Sequence, residues 1–171
     1  MDMHEKLKQA GFNPPQMPKK IDSSRANMKM KVIKAEEFLN NMKSYEERLH
    51  HAQDKDLHEM IENSVVLNYE RFCESIKDIL DSIAVRENIK TLSQRRGLGE
   101  LIRTVNAVLE IDGKVDKAVR KLTTRNDAVH DYLNSEYYDN IVLEHVENDM
   151  EDYRIYLSCI KKYLADNNMI K

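Results

Sequence analysis

Residues 57–84, LHEMIENSVVLNYERFCESIKDILDSIA, place Leu57, Met60, Ile61, Val65, Tyr69, Phe72, Ile76, Ile79, Leu80 and Ile83 at steps of three and four. That period gathers them on one face of a helix. Neither glycine nor proline interrupts the run, and Asp54 or Asp56 can cap its start, so a long amphipathic helix ending near Ala84 is the reading that decides the fold.

The same period continues outward on both sides. Upstream, Met28, Val32, Ala35, Leu39, Met42, Tyr45 and Leu49 predict a helix from about Arg25 to Ala52, with Ser23 and Ser24 as candidate caps. A short polar connection around Gln53 to Lys55 makes the two helices an antiparallel pair. Downstream, Arg86 to Arg96 is polar and basic and reads as a connector. Helical spacing returns from Leu98 to Leu109, breaks at the turn signal Asp112-Gly113, and resumes through Val115, Ala118, Val119 and Leu122. Thr123 or Thr124 can cap a helix that follows, and Asn134 and Ser135 open a last long helix carried by Val142, Val146, Met150, Tyr153, Leu157, Ile160 and Leu164.

The expected fold is therefore all-α, an up-and-down bundle of four to five helices. Composition agrees: among 171 residues there are 4 glycines and 3 prolines, while helix-favouring residues are plentiful. All three prolines, Pro14, Pro15 and Pro18, fall in residues 1–24, which lack a sustained period and are expected to form a flexible N-terminal arm ahead of a helical domain over residues 25–171.

A formal net charge of -3 argues against indiscriminate polyanion binding, so any nucleic-acid contact would use a local basic patch. Cys73 and Cys159 form no metal-type cluster, Met1 to Ala10 resembles no secretory leader, and no apolar run approaches the ~20 residues that cross a bilayer. The expected location is the cytoplasm, with no membrane partner. Phosphate loops, nucleophile elbows and zinc-ligand strings are absent from the sequence. His50, His51, His58 and Glu62 are more simply a solvated helical face than a metal site, and no metal or cofactor is expected. The basic group Arg86, Lys90, Arg95, Arg96 and Arg103 could guide RNA or pair with acidic neighbours.

One stretch is dense in chemistry. In Arg125 to Tyr132, RNDAVHDY, six of eight side chains hydrogen-bond or ionise. Arg125 carries a forked set of donors suited to phosphate, and His130 has the side chain that titrates nearest neutrality. This order resembles the R-x4-H-x-Y motif of the HEPN ribonucleases, and more narrowly the HepT toxins of HepT/MNT toxin-antitoxin pairs, where a polar residue such as Asn126 commonly follows the Arg.

The resemblance implies a HEPN-like bundle and an endoribonuclease toxin of a toxin-antitoxin or phage-defence system. Cleaving RNA without a metal needs the 2′-hydroxyl deprotonated, the phosphate charge stabilised and the leaving oxygen protonated. His130 suits the acid-base work, Arg125 the phosphate, and Asn126 a supporting hydrogen bond. On one ideal helix Arg125 and His130 would point about 140° apart. Either the motif straddles a loop and a helix start, or two copies share a cleft; the resemblance implies the second, a homodimer. It also implies a partner, an MNT-type nucleotidyltransferase antitoxin that adds AMP to Tyr132, where the new negative charge would repel an RNA substrate. The N-terminal arm and the acidic Asp127 and Asp131 depart from that family. The alternative from another class is a non-catalytic helical binding or regulatory module that keeps the fold.

Overall fold

The computed structural model describes residues 20–123 and 135–170. Among them the chain is all-helical, with five α-helices and no strand: α1 (Lys20–Leu49), α2 (Lys55–Arg86), α3 (Leu98–Leu109), α4 (Gly113–Arg120) and α5 (Ser135–Asp166). A 3-10 turn, Lys121–Thr123, follows α4 directly. Helix α1 starts ahead of the expected Arg25, and Ser23 and Ser24 lie within it rather than capping it.

The long helices are placed by their own apolar faces. In α2, Ile61, Val65, Tyr69, Phe72, Cys73, Ile76, Ile79, Leu80 and Ile83 are buried and form the spine of the core. Against it lie Met28, Val32, Ala35, Leu39 and Met42 of α1 and Val142, Val146, Tyr153, Tyr156, Leu157, Ile160 and Leu164 of α5. Removing that much apolar surface from water is the main force holding the helices together.

Paired contacts give the helix directions. Asn41 of α1 donates to Asn68 of α2 at 3.2 Å, while the Arg71 guanidinium lies over the Phe38 ring at 6.0 Å. Three residues back on α1 match three forward on α2, so the pair is antiparallel. Helix α5 runs alongside α2 in the same direction, since Tyr138 meets Glu70 near one end and Tyr163 meets Glu87 near the other.

Caps set the remaining boundaries. The Asp54 carboxylate accepts from the Leu57 N–H at 2.9 Å and starts α2, as one of the two expected caps. Asp112 does the same for α4 through Lys114 N–H, also at 2.9 Å, so Asp112-Gly113 is a helix start as well as a break. Between α3 and α4 the chain reverses through Glu110, whose φ of 52° is left-handed.

Two residues assigned to the apolar face of α2 are corrected by this packing. Met60 is 60% exposed and Leu57 43%: Met60 lies about 100° around the helix from buried Ile61, on the side turned from the core, and Leu57 stands in the first turn of α2, past the end of α1.

Candidate functional site

Arg125, Asn126, His130 and Tyr132 all fall within residues 124–134, outside the described residues. The structure does describe the two ends from which that segment departs, the 3-10 turn before it and α5 after it, and the wall of α2 that both ends touch.

The turn is locked into the core. Leu122 is fully buried, and the Tyr69 hydroxyl of α2 donates to the Lys121 carbonyl at 3.4 Å. The Cys73 thiol lies 3.8 Å from the Leu122 carbonyl. Thr123 turns its hydroxyl back to donate to the Arg120 carbonyl at 2.8 Å, so it closes the turn and is not oriented toward the chain ahead. A Cβ on Gly99 would come within 3.1 Å of Thr123 Cγ2; glycine there lets α3 and the turn approach closely.

Helix α5 meets the turn through charge. The Lys121 ammonium donates to both oxygens of Asp149, at 3.0 and 2.8 Å. Beside it, His145 Nδ1 is 3.4 Å from the Tyr69 hydroxyl. One phenol hydrogen cannot serve both Lys121 and His145, so the set is complete when the imidazole donates from Nδ1. Tyr153 of α5 lies against Phe72 of α2, their ring centroids 5.9 Å apart.

Burial decides the proton affinities. The His145 pKa is lowered from 6.5, first by desolvation and then by the Lys121 charge, against the opposing pull of Asp149 and Glu144. Desolvation also raises the Tyr69 and Tyr153 phenols far above their ordinary range, so both stay protonated. The Asp139 carboxyl, nearly two turns nearer the start of α5, has its pKa raised by burial.

Sequence reasoning did not single out Tyr69, Lys121, His145 and Asp149 as a group. Tyr69 had been counted only as core, and the one local signal is that His145 and Asp149 stand four apart on α5.

The other candidates resolve into ordinary pairs. His50 meets Glu46 at 2.6 Å and His58 meets Glu62 at 3.6 Å, each one helical turn apart. Among the described residues, no three His, Cys, Asp or Glu side chains come together to hold a metal ion. Within the basic connector, Lys90 is paired with Asp81, Arg96 with Glu100 and the Ile89 carbonyl, and Arg86 donates to Asn167. Arg95 and Arg103 are exposed.

Compared with known protein families, characterised proteins and solved structures, the chain finds no match. A functional reading therefore rests on this chain's own residues. None of the described helices is long and apolar enough to cross a membrane.

Proposed function

We propose that the chain is a HEPN-type, HepT-like endoribonuclease toxin whose helices form an up-and-down bundle and whose working unit is a cytoplasmic homodimer. One observation carries the reading: Arg125, Asn126, His130 and Tyr132 stand in R-x4-H-x-Y order directly ahead of the last long helix of an all-helical chain. The packed turn at Lys121–Thr123 precedes that segment and α5 follows it.

In this reading His130 takes the proton from the RNA 2′-hydroxyl and Arg125 stabilises the charge gathering on the phosphate. The 2′-oxygen attacks phosphorus, the bond from phosphorus to the 5′-oxygen breaks, and His130 returns its proton to that oxygen, giving a 2′,3′-cyclic phosphate and a 5′-hydroxyl end. Asn126 supports by hydrogen bonding. No metal or cofactor enters the chemistry. Tyr132 is the AMP acceptor for an MNT-type nucleotidyltransferase antitoxin, and the added phosphodiester silences the nuclease by repulsion and blockage.

Purified wild type and His130→Ala protein, matched for fold by circular dichroism, are compared on RNA in EDTA. Cleavage with cyclic phosphate ends and growth arrest on expression, both lost in His130→Ala, support the enzyme. Equal behaviour of the two proteins overturns it in favour of a helical binding module. Intact mass after incubation with ATP and a nucleotidyltransferase encoded next to the gene tests the acceptor separately, and no AMP added at Tyr132 rejects that regulation.

A further inference from the structure

Helix α2 has a second pattern, on the side turned away from the core. Asp56, Met60, Asn63, Leu67 and Arg71 follow one another at steps of four, three, four and four, a stripe about 22 Å long, and all five are exposed. Met60 is 60% exposed and Leu67 44%, the two large apolar residues in the middle. Between them Asn63 and Ser64 floor a shallow groove of about 510 Å³ that Asp56, Glu59 and the two apolar residues complete.

We propose that this stripe is where a second copy of the chain docks, with the two α2 helices antiparallel about a twofold axis passing between Asn63 and Ser64. The proposal rests on the homodimer of the reading above and names its surface. The order of residue types along the stripe selects this occupant. It is acidic at one end, apolar, small and polar at its centre, apolar again, and basic at the other end. Turned end for end, Met60 meets Leu67 of the second copy, Asn63 meets Ser64, and Arg71 meets Asp56 with Glu59 close by. Each contact occurs twice, as an isologous interface requires. A parallel pairing would set Arg71 against Arg71 and Asp56 against Asp56, which costs energy.

Arg71 is already held at the helix surface by the Phe38 ring, so little side-chain freedom is lost when it takes an acidic partner. Asp56 and Glu59 beside the groove repel a polyanion, which disfavours RNA as the occupant.

The test is the oligomeric state of the full chain, measured by sedimentation and light scattering from 1 to 100 µM (a range on the order of common dimer constants). Wild type is expected to dimerise. Met60→Lys and Leu67→Lys, both at exposed positions, are expected to weaken dimerisation by about tenfold or more while leaving the melting curve in place. Asp56→Arg and Arg71→Asp each weaken it, and the double variant recovers it, because the reversed charges meet again across the axis.

Asn63→Cys gives an independent readout. Under mild oxidation it is expected to form a disulfide-linked dimer, whereas Asp78→Cys, exposed farther along α2 and distant from the axis, and wild type with its own cysteines do not. A wild type that stays monomeric overturns the proposal. So does a dimer that neither the charge reversals nor the lysine variants disturb, or an Asn63→Cys protein that links no better than Asp78→Cys. RNA cleavage by wild type against His130→Ala decides the nuclease reading on its own, so a dimer built on another surface and a protein with no nuclease activity are told apart.

Discussion

Lys121 and Asp149 form a two-pronged ion pair, Nζ to Oδ1 at 3.0 Å and to Oδ2 at 2.8 Å, that ties the turn preceding residues 124–134 to the helix following them. Asp149 is buried while the lysine is part exposed. The carboxylate has exchanged water for this cation, so replacing it by an amide leaves the Lys121 ammonium facing a neutral group at a buried position.

Asp149→Asn is expected to destabilise the protein by about 1–3 kcal/mol, the cost of breaking a charged hydrogen bond at a partly buried site. For a chain of this size that lowers the melting temperature by roughly 2–12 °C. Thermal denaturation followed by circular dichroism reads it. An unchanged melting point would mean that the turn is held by Leu122 and the Tyr69 contact alone.

His145 makes stability depend on pH in a defined direction. Its pKa is depressed in the folded protein, first by desolvation, so below about 6.5 the unfolded chain binds a proton that the folded one refuses. The contribution is present in full above that unfolded value and is lost as pH falls through the folded one. Urea midpoints measured from pH 8 down to pH 5 are expected to fall, and His145→Asn is expected to flatten that part of the curve. If the two proteins keep parallel curves, His145 is not the group responsible.

How much of this could be read beforehand differs by element. The threes-and-fours period placed α2 and α5 because burial on one face repeats with the helix itself, and Asp54 was one of two acids available to cap α2. The start of α1 was misjudged because Ser23 and Ser24 resemble caps, although the helix is already formed at Lys20. Met60 stands three residues from Leu57 and still faces outward, since steps of three and four drift around a helix and do not by themselves keep every residue on the buried face. The polar pairs were illegible for a related reason: Lys121 and Asp149, or Asn106 and Tyr156, meet only because distant helices cross, and nothing local records the crossing. The candidate site was legible as letters, in the order of Arg125, Asn126, His130 and Tyr132, but their mutual geometry depends on residues 124–134, which lie outside the described structure.

A chain of hydrogen bonds, buried at its Tyr156 end and exposed at its Arg120 end, joins three helices. Tyr156 donates to Asn106 Oδ1 at 2.6 Å, Asn106 Nδ2 donates to Asp116 Oδ1 at 2.7 Å, and Arg120 Nε donates to Asp116 Oδ2 at 2.7 Å. Desolvation pushes the Asp116 carboxyl up, but the Asn106 and Arg120 donors together hold it below its ordinary 3.8. Asn106→Leu keeps the branching of the side chain and leaves the Tyr156 hydroxyl buried without its acceptor, at a cost of about 1–3 kcal/mol. Adding Tyr156→Phe is expected to recover part of that loss. Denaturant titration of the two single variants and the double variant gives the coupling, and additive effects would show that the two side chains do not depend on each other.

Lys90 and Asp81 make an asymmetric pair: the Lys90 side chain is 2% exposed and that of Asp81 42%, with Nζ to Oδ1 at 2.7 Å. The two partners should therefore respond unequally to mutation. Asp81→Asn leaves an ammonium enclosed with a weaker acceptor, and because such a charge has lost its water, the cost is expected to be about 2–4 kcal/mol. Lys90→Met removes the enclosed charge and keeps the length of the side chain, while the orphaned Asp81 carboxylate can turn to solvent. That variant is expected to lie within about 1 kcal/mol of wild type. Chemical denaturation of both variants at neutral pH measures the inequality. If Lys90→Met proves the more damaging of the two, the ammonium is contributing net stability at this position, and burial has not cancelled the attraction between the charges.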